Sequence, residues 1–153
     1  MRRSLPRSVF CTLISLTASA SAQGVAPQVT INSIAQDVQI DGSVTGLTAA
    51  QNQTACVVVY IKTDKWYVHP YANAGPGQSF ATVDSTGQWS LATVKRDFPA
   101  NAVAAVLFDN TQKCQNSPAR TGAVTGIAGA LAFRVYTSGQ PLAGGNANWY
   151  GAL

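Results

Sequence analysis

Tyr67, His69 and Tyr71 stand two residues apart in the stretch Trp66-Tyr-Val-His-Pro-Tyr71. On an extended strand, residues so spaced project from one face about 7 Å from each other. Two phenols and an imidazole in a row permit two kinds of chemistry: recognition through ring faces whose polar edges stay hydrated, or proton transfer through the imidazole. His69 is the single histidine of the 153-residue chain. Catalysis would also need a nucleophile with an orienting acid, or two carboxylates across a cleft. Asp64 is the acid that a bend at Lys62-Thr-Asp-Lys65 brings nearest to His69, and no Gly-x-Ser-x-Gly nucleophile turn is present. All six acids are aspartates, mostly beside turn residues, where a short carboxylate hydrogen-bonds the local backbone. Asp41, Asp84 and Asp109 lack the dense oxygen spacing of a calcium loop. One histidine and three cysteines give no further ligands for a transition metal. The expectation is a protein with no catalytic residues, no metal and no cofactor, whose ligand-binding surface is Tyr67, His69 and Tyr71.

Trp66, Tyr67, Tyr71, Trp89, Trp149 and Tyr150 are the side chains that could offer a platform to the C–H face of a sugar ring. Trp66 and Trp89 fall on the apolar faces of their strands and are expected in the core. Tyr67 and Tyr71 fall on the opposite face. The same face would equally suit an extracellular protein partner, as in an inhibitor or a host-directed factor.

The elements that must position this row are strands. Val57 to Ile61 is apolar on both faces and rich in β-branched residues, so it reads as a strand covered on both sides. Ala102 to Phe108 reads the same way and is expected beside it. Gln28 to Ile34 and Val38 to Gly46 alternate, with a bulge or turn at Asp41-Gly42. Ser79 to Val83, the turn Asp84-Ser-Thr-Gly87 and Gln88 to Val94 resemble a hairpin with Trp89 and Leu91 inward. Ala130 to Thr137 closes the set, with Leu131, Phe133 and Val135 expected on one face. Residues 47–54 read as a polar loop holding Asn52-Gln-Thr54, a glycosylation acceptor in a eukaryotic host. Residues 115–129 read as a long connection without a clear period. Seven or eight short strands separated by turns predict an all-β protein, an antiparallel Ig-like β-sandwich.

The first 22 residues have the three parts of a secretory signal peptide. Arg2, Arg3 and Arg7 precede an apolar run from Val9 to Leu16, and Ala20-Ser-Ala22 offers a cleavage site. Cleavage leaves 131 residues, read as a single domain over 23–137 and a flexible C-terminal tail over 138–153. The three arginines leave with the leader, so ten basic residues become seven against six acids and the formal charge falls from +4 to +1. The remaining cations form no cluster beyond Lys95-Arg96, which argues against a nucleic-acid or membrane partner. Cys11 belongs to the leader, leaving Cys56 and Cys114 as a pair in a secreted domain, where a disulfide is expected. Antiparallel pairing of Val57–Ile61 with Ala102–Phe108 would bring these two cysteines to the same end of the sheet.

Val57-Val-Val-Tyr60, Trp66-Tyr-Val-His-Pro70, Gly87-Gln-Trp-Ser90 and Ala102-Val-Ala-Ala-Val-Leu107 together resemble small Ig-like sandwich modules attached to secreted microbial carbohydrate-active enzymes. The likeness covers about residues 28 to 109. It implies an extracellular sandwich and a carbohydrate-related setting. The sequence departs from that pattern in its cysteine pair and in the segment after Asp109, and a module standing alone without a catalytic domain is expected.

Overall fold

The computed structural model describes residues 24–153. The signal-peptide reading of residues 1–22, with Cys11, lies outside the described residues. The chain forms β1 (Gln28–Ala35), β2 (Gln39–Thr45), α1 (Ala49–Thr54), β3 (Cys56–Lys62), β4 (Trp66–His69), β5 (Ala81–Thr82), β6 (Gln88–Ala92), β7 (Ala102–Phe108), α2 (Thr111–Gln115) and β8 (Ala130–Thr137). A 3₁₀ turn over Trp149–Ala152 follows. No helix among the described residues is long and apolar enough to cross a membrane.

The strands make two antiparallel sheets, one ordered β1-β2-β6 and the other β4-β3-β7-β8, with β5 also on β3. This is the expected all-β sandwich, and the strand order follows the immunoglobulin pattern. The alternation of β1, β2 and β6 does what half-buried strands do. Val29, Ile31, Ile40, Val44, Trp89 and Leu91 point inward and are buried. Gly42 does not turn the chain; it pairs with Ile31 on one side and Trp89 on the other. A Cβ there would sit 2.1 Å from Cζ2 of Trp89, so the missing side chain is the space the indole occupies.

The apolar character of both faces of β3 and β7 has a direct cause. Val57, Val59, Ile61, Val103, Ala105 and Leu107 face the first sheet. Cys56, Val58, Tyr60, Ala104, Val106 and Phe108 face outward into a second core, closed by Cys114 and Val124 from the chain beyond β7. Residues 116–129 are therefore the cover of the outer face. The cover is tied to β4 where Trp66 and Arg120 exchange backbone hydrogen bonds, each of 2.8 Å. β3 and β7 pair antiparallel with Cys56 opposite Phe108, and α2 then carries Cys114 back over Cys56. The two cysteines form a disulfide with a Cα separation of 6.4 Å.

Several expectations are corrected. β5 pairs with β3 while β6 pairs with β2, so the Asp84–Gly87 turn passes the chain between sheets instead of closing a hairpin. The polar loop 47–54 contains α1, capped by a reciprocal Thr48–Gln51 box. Asn52 of the glycosylation motif sits within this helix, and the Thr54 hydroxyl donates to the Asp109 carbonyl at 2.6 Å. On β8, Val135 and Phe133 pair with Ala104 and Val106 and so share the outer face, where Phe133 is exposed. Leu131, taken off that face by the register shift at Leu107–Phe108, packs half-buried against the inter-sheet core with Ala132. The fully buried β8 residue of that core is Tyr136, whose hydroxyl accepts from the Ile31 N–H at 3.2 Å. The expected flexible tail, 138–153, is packed: Leu142, Trp149 and Leu153 belong to the inter-sheet core.

Candidate functional site

β4 pairs with β3 so that Ile61 opposes Tyr67 and Val59 opposes His69. Residues opposite one another in an antiparallel pair share a face. Tyr67 and His69 therefore point to the inter-sheet side with Val59 and Ile61, while Trp66 and Val68 enter the outer core with Tyr60. Trp66 is buried as expected, but beneath the 116–129 cover and not between the sheets.

Sheet lengths decide what becomes of the Tyr67 face. The first sheet has three strands and ends at β6, whereas β4 is the outermost strand of the second sheet. Beyond β6 the opposing wall is the β6–β7 connection, residues 93–101. That connection is fixed at both ends. The Lys95 N–H donates to the Asp37 carboxylate at 2.7 Å, and the Asn101 N–H to the Lys62 carbonyl at 2.9 Å. The Lys95 hydrogen bond holds the Asp37 carboxyl below its ordinary value. Between β4 and this connection lies an open cleft of about 820 Å³, lined in part by Ile61, Tyr67, Pro70, Tyr71, Arg96 and Phe98.

The expected row is interrupted. Tyr67 and Tyr71 are 37% and 45% exposed, but His69 between them is fully buried. Its Nε2 shares a 2.5 Å hydrogen bond with the Thr93 hydroxyl, and Nδ1 is buried without a protein partner. Burial, with the nearby Arg96 charge adding to it, pushes the His69 pKa down to about 4. The imidazole is thus neutral at ordinary pH, and although it borders the cleft it has no solvent-exposed surface there. Asp64 is in the turn before β4 and His69 at the far end of that strand, so the acid–base pair considered from sequence does not form. The Asp64 carboxylate accepts from the Thr63 hydroxyl at 2.9 Å, which leads the causes holding its pKa low.

Two cations frame the exposed rings. Lys65 Nζ lies 5.1 Å from the Tyr67 ring centroid, and the Arg96 guanidinium carbon 5.1 Å from that of Tyr71. Arg96 also donates to the Pro70 carbonyl, binding the loop 93–101 to the end of β4. Arg96 and Phe98 are the site residues that sequence reasoning missed. Lys95-Arg96 carries only the signal of a solvated turn, and Phe98 stands alone at 74% exposure with no periodic neighbours. The other aromatic candidates lie elsewhere. Trp89 and Trp149 are in the inter-sheet core, and Tyr150, though 37% exposed, is not among the residues that line the cleft.

Asp84 serves its turn, accepting from the backbone N–H groups of Thr86 and Gln88, and Asp109 pairs with Lys113 at 2.8 Å. Among the described residues no group of three or more His, Cys or Asp side chains is placed to hold a metal ion.

The buried imidazole yields a pH prediction. The folded protein keeps His69 neutral down to about pH 4, whereas the unfolded chain takes up that proton near pH 6.5. Between these values the unfolded state binds more protons, so stability falls as pH falls, by about 3 kcal/mol across the window. The aspartates with depressed pKa values stabilise the fold above their ordinary 3.8 and lose that contribution as pH falls through it, so they add to the slope only at the acid end of this window. Urea unfolding at a series of pH values from 7 to 4 reads the slope, and His69→Asn should flatten it. A wild-type slope near zero would show that the imidazole protonates freely in the fold.

Neither a protein family, nor a curated protein, nor a solved structure matches the sequence.

Proposed function

We propose that this chain is a secreted, non-catalytic binding module that holds a carbohydrate in the cleft bordered by Tyr67, Tyr71 and Phe98. The observation that carries this reading is the convergence of these three exposed rings, with Pro70, on one open cleft at the edge of the sandwich. Rigid aromatic faces suit the C–H surface of a sugar ring, and the tyrosine hydroxyls and the Asp64 carboxylate supply polar partners at the edges. Secretion is supported by the three-part leader sequence and by the Cys56–Cys114 disulfide, a bond that persists in oxidising compartments.

A second reading, a secreted protein-interaction factor using the same face, draws on Phe98 and Arg96. An aromatic side chain at 74% exposure beside an arginine is the composition of a protein-interface anchor. One experiment separates the two. The double variant Tyr67→Ala, Tyr71→Ala should lose about tenfold or more in polysaccharide binding. Its unfolding free energy should stay within about 1 kcal/mol of wild type, since neither ring belongs to either hydrophobic core. Loss of stability with unchanged binding would make the two rings structural. Capture of a protein partner without any glycan would favour the second reading, and glycan turnover by the purified wild type would overturn the non-catalytic one.

A further inference from the structure

We propose that the glycan held in this cleft is acidic, a polysaccharide whose sugar units carry carboxylates; the proposal rests on the carbohydrate reading above and narrows it. Each of the two tyrosines that line the cleft comes with its own cation, Arg96 at Tyr71, which lines the cleft as well, and Lys65 at Tyr67, which stands just outside the lining. Neither cation is neutralised: among the described residues the one ion pair is Lys113 with Asp109, on and beside α2. A cation on one face of a ring leaves the other face for the sugar and places positive charge beside it. Arg96 is also held in place, because one of its N–H groups donates to the Pro70 carbonyl, its single side-chain hydrogen bond among the described residues. The remaining donors of a planar guanidinium match a carboxylate in two-point fashion.

Asp64 also lines the cleft and would repel an anion placed beside it. It precedes β4, however, while Tyr71 and Arg96 lie at the other end of that four-residue strand. Four residues of strand span about 13 Å, beyond the screening length of about 8 Å at physiological ionic strength. The two ends therefore take different parts of one ligand, a carboxylate at Arg96 and hydroxyls at Asp64. Asp97, next to Arg96 in sequence, neither pairs with it nor lines the cleft.

Affinity electrophoresis of the purified protein through gels holding polygalacturonate, the same polymer methyl-esterified, alginate or a neutral β-glucan tests this directly. The expected result is retardation by polygalacturonate or alginate, about tenfold weaker or more once the carboxylates are esterified, and suppressed by added salt. Arg96→Gln should weaken the acidic interaction by about tenfold, with Lys65→Gln adding to it, while thermal melting confirms that both variants fold. Equal retardation by the acid and its ester, or acid binding that survives in the double variant, would overturn the acidic assignment and leave the carbohydrate reading intact. Retardation by none of the four polymers would overturn both. The acid-to-ester comparison is made on the wild-type protein, so it stands whatever the variants do to the Pro70 turn.

Discussion

Replacing Trp149 with Ala should lower the unfolding free energy by about 3 to 5 kcal/mol, the cost of emptying a large buried aromatic site. The indole is fully buried in the inter-sheet core with Leu142 and Leu153, and its Nε1 donates to the Gln140 carbonyl at 2.9 Å. The chain leading to it is tied to the edge of β1. The N–H of Ala143 donates to the Ile31 carbonyl at 3.0 Å and that of Gly144 to the Asn32 carbonyl at 3.1 Å. Asn32 is where the β1–β2 register shifts, so its carbonyl is turned away from the β2 ladder. Gly144 permits the approach, because a Cβ there would lie 2.3 Å from the Asn32 oxygen. Urea unfolding of Trp149→Ala should show this loss, and of a chain ending after Thr137, which also gives up Leu142, Leu153 and the β1 contacts, a larger one. A wild-type midpoint in either would mean that the C-terminal segment is not part of the cooperative core.

Removing the disulfide by Cys56→Ala with Cys114→Ala should cost about 4 kcal/mol. The bond joins residues 58 apart in sequence, and the unfolded chain regains the entropy of that open loop. Loss of packing should be modest by comparison, since Ala still fills part of each site in the outer core. Equilibrium unfolding of the double variant against wild type gives the difference, and intact mass with and without reduction shows the two hydrogens gained when the bond opens to two thiols. A midpoint unchanged in the double variant would place the stability of the outer core entirely in its apolar contacts.

Both predictions depend on parts of the chain that were unequally legible. The disulfide follows from local pattern: two runs apolar on both faces must be central, central neighbours in this fold are antiparallel, and Cys56 and Cys114 flank them at one end. Trp149 gave no such pattern. Residues 138–153 lack periodicity because the segment packs through three separated anchors and a short backbone contact with β1, and such contacts have no repeat for a sequence to display. α1 was readable in principle from Thr48 and Gln51, the two ends of its capping box, but six residues supply no amphipathic period to support the cap.

The candidate site divides along the same line. Alternation along Trp66–Tyr71 correctly separates Trp66 and Val68 from Tyr67 and His69, because side chains on a strand alternate whatever surrounds it. The same rule cannot say which layer each face meets. Trp66 is buried because residues 116–129 cover the outer face, a partner more than fifty residues away in sequence. His69 is sealed and Tyr67 is open because one lies against Thr93 and the other beyond the reach of the three-stranded sheet. Sequence alone determined the strands, their centre, the disulfide and the aromatic stretch, all consequences of short-range period and composition. Tertiary structure decided the depth of His69, the arrival of Arg96 and Phe98 opposite the tyrosines, and hence the cleft itself, because each depends on where two sheets of unequal width come to an end.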